Sequence, residues 1–132
     1  MRTIHTFRLL PAQDLFEEIQ NFVQKKGIQA GVVLSAVGSL TKAALRLANR
    51  SSYHEFQGPF EIVSITGTVS VHGSHLHIAI SDGEGKTLGG HLGQGCLIYT
   101  TAEIVIAELL DVVYQREPCP LSGYDELVAK PR

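Results

Sequence analysis

Three of the six histidines lie between residues 75 and 91, in an arrangement that could hold a metal ion. His75 and His77 are separated by a single residue, and His91 follows after a segment rich in turn-forming residues. Imidazole nitrogens bind Zn²⁺ at about 2.0–2.1 Å, and three such ligands leave one position of a tetrahedral ion open. An open position is typical of catalytic or ligand-binding zinc sites rather than closed structural ones. Nickel, copper and iron accept the same ligands, so we expect one divalent ion, with zinc as the first choice.

The segment that carries these histidines has the pattern of a β-hairpin. Apolar residues alternate with histidine or small residues from 75 to 81, which is the period-two signature of a strand with two unlike faces. Asp82–Lys86 contains two glycines, which supply the positive-φ positions of a tight turn. A hairpin that is symmetric about Glu84 pairs His77 with His91. Its other face then collects the apolar residues Leu76, Ile78, Ile80, Leu88 and Leu92.

This register is what favours a metal site over an ordinary polar surface. A histidine on a strand is more often a surface residue or a hydrogen-bonded core residue than a ligand, and hairpins with one polar face are common. A slip of one residue would mix the two faces, so a strongly patterned hairpin resists it. The turn therefore returns a third histidine to the face of the first two. We predict that His75, His77 and His91 are the metal ligands.

Other polar residues have weaker claims to a role. His5 and His54 are expected to be ordinary surface histidines, whereas His72 extends the polar face of the preceding strand and could approach the three ligands. Glu103 and Glu108 interrupt a long apolar segment; each would orient a ligand or transfer protons if it lay near the metal, and would otherwise be a solvated or interface residue. The glycines around His91 indicate close approach either to a ligand or neighbouring subunit, or to the chain's own strands. That cluster consists of Gly89, Gly90, Gly93 and Gly95.

Length and composition indicate one compact globular domain spanning residues 1–132. The chain is 44% hydrophobic and 18% charged, which is enough apolar material for a core. Its net charge of −2 argues against a protein that binds polyanions through a basic patch. Two cysteines do not make a disulfide framework. No signal peptide or membrane span is apparent in the sequence, so the expected location is the cytoplasm.

Hydrophobic periodicity predicts an α/β (α+β) domain in which a mixed, largely antiparallel sheet packs against one main N-terminal helix. The helix is expected from about Ala12 to Lys26, with Gly27 as its C-cap. A loop or irregular hairpin is expected over Asn49–Pro59, and an irregular tail from Gln115. Besides the two strands of the hairpin, the expected strands are Arg2–Leu10, Gly31–Leu40, Lys42–Ala48, Phe60–Val71 (kinked at Gly67) and Cys96–Val113.

The histidine pattern, H-L-H with G-G-H-L placing its histidine fourteen positions after the second, resembles the signature of the plant- and prokaryote-conserved (PPC) domain family. The resemblance extends to three further segments: G-V-V-L-S-A-V-G-S-L, F-E-I-V-S-I-T-G-T-V-S and T-T-A-E-I-V-I-A-E-L. It implies a compact α/β domain that assembles as a homotrimer, with His75, His77 and His91 as the metal triad. Plant members join this domain to DNA-binding AT-hooks, but the sequence contains no R-G-R-P core.

Three classes of function remain open at this point. The first is a homotrimeric metal-binding domain, with a small-molecule ligand as an option at the open metal position. The second is an enzyme, because the PPC fold is similar to that of acetolactate decarboxylases; this analogy suggests a metal-dependent lyase but assigns no acid or base. The third is a DNA-associated regulator like the plant relatives. With a mildly acidic chain and no AT-hook, we expect no tight binding to random duplex DNA by this chain alone.

Overall fold

The computed structural model describes residues 2–132. It contains one helix and eight strands within that range. The helix α1 is Leu15–Lys26, and the strands are β1 (Arg2–Leu9), β2 (Gly31–Arg46), β3 (His54–Val69), β4 (His75–Ser81), β5 (Thr87–Leu92), β6 (Leu97–Leu109), β7 (Val112–Pro118) and β8 (Asp125–Pro131).

Six of the strands form one sheet in the order β1-β6-β2-β3-β4-β5, and β7 pairs with β8 in a separate two-stranded sheet. Strand β5 also pairs with β2, so strands β2 to β5 form a closed ring. Every strand pair within residues 2–132 is antiparallel. The predicted fold class is confirmed: a compact, mainly antiparallel sheet packed by one N-terminal helix.

Helix α1 ends at the predicted C-cap, Gly27, but it begins later than Ala12. Asp14 is the N-cap, and its side chain accepts a hydrogen bond from the backbone N–H of Glu17 at 3.0 Å. Gly27 is the C-cap in the left-handed conformation, with φ of 65°. Three side chains of the helix are buried against the sheet: Leu15, Ile19 and Val23. At 12 residues α1 falls short of a membrane span, and none of the described residues forms a helix long and apolar enough for one.

Four of the predicted segments need correction. The single strand predicted over Cys96–Val113 is wrong, because β6 ends at Leu109 and β7 begins at Val112. The two strands expected on either side of residue 41 are one strand, β2, whose register shifts between Leu40 and Lys42. A bulge of this kind lets one strand continue where the side-chain alternation changes phase. The predicted loop Asn49–Pro59 is wrong in its second half, because β3 begins at His54.

The tail predicted to be irregular from Gln115 is also wrong, because it forms the β7–β8 hairpin. Pro118 and Pro131 are the last residues of these strands, where a missing backbone N–H is tolerated. The backbone N–H of Tyr114 donates to the carbonyl oxygen of Gln29 at 2.9 Å, and Ser70 Oγ donates to the carbonyl of Tyr114 at 2.9 Å. These two hydrogen bonds attach the hairpin to the main sheet.

The hairpin formed by β4 and β5 has the register predicted from the sequence. His77 pairs with His91, Ala79 with Gly89, and Ser81 with Thr87. The opposite face is packed into the core: four of its apolar residues are at most 3% exposed, and Leu88 is partly buried. The four are Leu76, Ile78, Ile80 and Leu92. Burial of this face directs the histidines to the other side of the strands.

Two glycines of β5 allow its close approach to the neighbouring strands. A Cβ at Gly89 would lie 2.7 Å from the carbonyl oxygen of Ile78 on β4, and one at Gly90 would lie 3.0 Å from that of Arg46 on β2. Side chains at these positions would push β5 away from both neighbours. Of the two alternatives for the glycine cluster, packing against the chain's own strands is the one that these distances support.

We predict that Leu76→Ala lowers the free energy of unfolding by about 2–5 kcal/mol, because it leaves a cavity beneath the histidine face. Leu121→Ala is a matched control, since Leu121 is 97% exposed in the β7–β8 turn whereas Leu76 is fully buried. The control should change stability by less than about 0.5 kcal/mol. Urea denaturation at one protein concentration measures both. Equal effects of the two substitutions would contradict the assigned packing of β4.

Candidate metal centre

The three predicted ligands converge on one side of the β4–β5 hairpin. One ring nitrogen of each of His75, His77 and His91 lies within 4.8 Å of the others. The ring centroids are 4.9 Å apart for His75 and His77, 5.2 Å for His75 and His91, and 5.8 Å for His77 and His91. His75 and His77 are exposed and His91 is partly buried. The ligand residues therefore lie at the protein surface, where a small ion can reach them.

The spacing of the nitrogens suits a tetrahedral ion. The Nε2 atoms of His75 and His77 are 3.2 Å apart. Two nitrogens bound to one tetrahedral zinc ion at about 2.0–2.1 Å are separated by about 3.3 Å. The same distance also fits a hydrogen bond between the two rings when one of them carries the proton. The nitrogen separations that involve His91, which are at most 4.8 Å, would shorten on rotation of its side chain.

His91 provides a second observation, which the hairpin pattern does not contain. Its Nδ1 is buried and has no hydrogen-bond partner within residues 2–132. Buried polar atoms are almost always paired, because an unpaired one loses its hydration without compensation. An unprotonated imidazole nitrogen without a hydrogen-bond partner has a lone pair that it can donate to an ion. The donor set and this unpaired atom together fit a metal.

The environment of His75 and His91 favours the neutral imidazole, which is the form that binds metals. Burial, assisted by the nearby Arg46 guanidinium and the other two histidines, lowers the pKa of His91 from 6.5 to about 4. Burial also lowers the pKa of His75, with further contributions from His77 and Arg116. A neutral imidazole has a free lone pair for an ion, so lowered pKa values extend metal-binding capacity to more acidic pH.

Two arginines flank the histidines: Arg46 lies on β2, next to β5, and Arg116 lies on β7 and contacts Thr68 of β3, next to β4. Arg46 on β2 pairs directly with His91 on β5, so His77, His91 and Arg46 lie in one row across three strands. On the other side, Thr68 on β3 pairs with His75, and Arg116 Nη2 donates to Thr68 Oγ1 at 3.2 Å. The hairpin pattern alone did not identify either arginine. Arg46 depends on the β2–β5 pairing, and Arg116 belongs to the segment predicted to be irregular.

The remaining candidates lie apart from the ligand set. His72 lines a cavity next to His75, but its ring nitrogen lies 3.2 Å from Gln29 Oε1 and is not among the three converging ligand atoms. Glu108 bonds to His5, with 2.8 Å between Oε1 and Nε2, and Glu103 is exposed on β6.

For the remaining histidines, one prediction is confirmed and one is wrong. His54 is exposed, as predicted. His5 is not an ordinary surface residue, because its side chain is 16% exposed and bonded to Glu108. The bond to Glu108 was not foreseeable from the sequence, because it depends on the β1–β6 register, which pairs strands at opposite ends of the chain.

Comparison with known proteins places the chain in one family. A model of the Plants and Prokaryotes Conserved (PCC) domain matches residues 1–110. The bifunctional protein GlmU of Synechococcus sp. (strain JA-3-3Ab) is 48% identical over 124 residues, which is 94% of this chain but 20% of that protein. The chain thus spans about a fifth of that curated relative.

Two solved structures extend the similarity to three dimensions. A hypothetical protein from Salmonella has a TM-score of 0.97 and 42% identity, covering 100% of this chain and 96% of that one. The metal-containing protein AF0104 from Archaeoglobus fulgidus has a TM-score of 0.81 and 25% identity, covering 96% of this chain and 93% of that one.

We predict that His91 in the metal-free protein titrates near pH 4 rather than 6.5. Between these values the unfolded chain binds a proton at position 91 that the folded chain does not. The free energy of unfolding should therefore fall as the pH is lowered from about 6.5 to about 4. NMR titration of the imidazole measures the pKa, and urea denaturation at each pH measures the slope. In His91→Gln the slope should be shallower, and an unchanged slope would contradict the prediction.

Proposed function

Because the chain belongs to the Plants and Prokaryotes Conserved (PCC) domain family, we propose that it is a homotrimeric metal-binding domain. The proposed site holds one divalent ion, with zinc as the first choice, on His75, His77 and His91. The observation that carries this proposal is the convergence of three imidazole nitrogens within 4.8 Å on one hairpin face. The unpaired Nδ1 of His91 and the lowered pKa values of His75 and His91 support it.

The chemistry of the donor set favours zinc and an open coordination position. Three neutral nitrogen ligands supply no charge and fill three positions of a tetrahedral ion, so a water molecule or a ligand takes the fourth. Such an ion acts as a Lewis acid and binds small ligands through oxygen. The metal-containing relative from Archaeoglobus gives independent support at the level of the fold and the family. The lyase and the DNA-associated regulator stay predictions of the resemblance alone.

The proposed homotrimer would cover apolar side chains that one chain leaves in solvent. Leu34 and Val37 on β2 and Val63 on β3 are 56–57% exposed. Val37 precedes Gly38 on β2, and Val63 follows Ile62 on β3. Because Gly38 pairs with Ile62, the two valines lie close together on adjacent strands. Large apolar side chains exposed on neighbouring strands are typical of a surface that contacts another subunit.

We expect that protein purified without an affinity tag or added metal contains about one zinc or other divalent ion per chain. His77→Ala should abolish stoichiometric metal, because two imidazoles cannot replace the third ligand. Inductively coupled plasma mass spectrometry measures the content.

The matched control for this experiment is His54→Ala, since His54 is exposed on β3 outside the cluster. It should retain the metal. Full metal content in His77→Ala would reject the proposed site. Loss of metal with an intact trimer would indicate a ligand-binding or catalytic role for the ion, whereas loss of the trimer would indicate a structural role.

The trimer proposal predicts a mass three times the 14.3 kDa of one chain in light scattering. Val37→Lys should shift the mass towards the monomer, because it places a charge in the proposed interface. Lysine is preferred to glutamate because Val37 pairs with Glu103, and a second acidic residue would destabilise the strand pair itself. Leu121→Lys, in the exposed β7–β8 turn, should have no effect. A monomer mass for the unmodified protein at micromolar concentrations would exclude the trimer.

A further inference from the structure

The histidine cluster adjoins a cavity of about 350 Å³. His75 and His91 form part of its wall, so a ligand in the cavity can reach an ion held by the triad. Its volume lies near the lower end of the range found for small-molecule sites, about 300–1,000 Å³. The four charged side chains on the wall come from β2, β7 and β8, and they are Arg46, Arg116, Asp125 and Glu126.

The two arginines are placed differently from the two carboxylates. Arg46 and Arg116 are partly buried, whereas Asp125 and Glu126 are exposed. Neither Arg46 nor Arg116 forms an ion pair with a carboxylate within residues 2–132, because the ion pairs in that range involve other residues. Arg116 uses Nη2 to donate to Thr68, which leaves other N–H donors of its guanidinium for a ligand.

The ion would give this cavity an excess of positive charge. The two arginines balance the two carboxylates in formal charge, and three neutral imidazoles do not offset a divalent ion. A loaded site therefore carries two uncompensated positive charges beside the partly buried Arg46, whose position on β2 is directly opposite that of His91 on β5. This combination favours an anion over a neutral or cationic ligand.

We propose that the cavity binds a small carboxylate, with an oxygen at the open position of the ion. The carboxylate would accept hydrogen bonds from Arg46 and Arg116, because a planar guanidinium matches the two oxygens of a carboxylate. This assignment rests on the proposed metal site and names the class of ligand that the site takes.

The test uses the full chain loaded with Co²⁺, whose visible absorption changes when a ligand enters its coordination sphere. Cobalt content is measured first, and the loaded protein is then titrated with glycolate and, separately, with its neutral analogue glycolamide. Glycolate should change the spectrum saturably, and glycolamide should bind at least about tenfold more weakly, because it lacks the charge that the arginines recognise.

Substitutions then separate the arginines from the ion. Arg46→Ala and Arg116→Ala should each weaken glycolate binding about tenfold or more while cobalt content stays at one per chain. Arg46→Lys should retain part of the affinity, since it keeps the charge but loses the planar pair of donors. Arg50→Ala is the matched control, because Arg50 is exposed in the turn after β2 and is not part of the cavity wall; it should bind glycolate like the unmodified protein.

The outcomes distinguish the two proposals. A protein that takes up no cobalt would overturn the metal site, and the carboxylate assignment with it. A protein that loads cobalt but binds glycolate and glycolamide equally, or not at all, would overturn the carboxylate assignment alone. Unchanged glycolate affinity in both Arg46→Ala and Arg116→Ala would do the same.

Discussion

The pairing of β5 with both β4 and β2 is the constraint on which the site depends. It is possible because Gly89 and Gly90 have no Cβ to collide with the carbonyl oxygens of the two neighbours. The pairing on one side brings His91 opposite His77, and the pairing on the other brings it opposite Arg46. A strand that paired on one side alone would hold either the ligand set or the flanking arginine, but not both.

Burial of the hairpin's apolar face turns this pairing into a fixed direction for the histidines. Leu76 and Leu92 are almost fully buried. If the strands turned their imidazoles inward, these two leucines would become exposed to solvent. At this surface, burial lowers the pKa of His75 and of His91, and Nδ1 of His91 has no hydrogen-bond partner within residues 2–132. An unfavourable local arrangement is maintained by favourable packing beneath it, which is a common feature of functional sites.

The sequence predicted the parts of the site that depend on local pattern, and it missed those that depend on contacts between distant segments. The β4–β5 hairpin has a short turn and strict alternation, so its register followed from the residues themselves. Gly27 predicted the end of the helix for the same reason. Arg46 and the His5–Glu108 pair lie on strands whose partners are far away in the chain, and no local period encodes which strands meet. The prolines of the C-terminal segment suggested irregular structure. Pro118 and Pro131 in fact lie at strand ends, which becomes apparent only when the strand pairing is known.

The cavity combines two segments with different relations to the family. All three histidines and Arg46 fall within residues 1–110, which match the family model, whereas Arg116 and the two carboxylates of β8 lie beyond them. The β7–β8 hairpin carries Arg116 and the two carboxylates. Hydrogen bonds join its Tyr114 to Gln29 and Ser70, whereas its strands, in the described part of the chain, pair only with each other. Its side chains can therefore change with little effect on the sheet that positions the ligands. In the proposed site, the three imidazoles and Arg46 belong to the main sheet, whereas Arg116 and the two carboxylates belong to the β7–β8 hairpin. Changes in β7 and β8 would therefore alter the proposed choice of anion and leave the three histidines where they are.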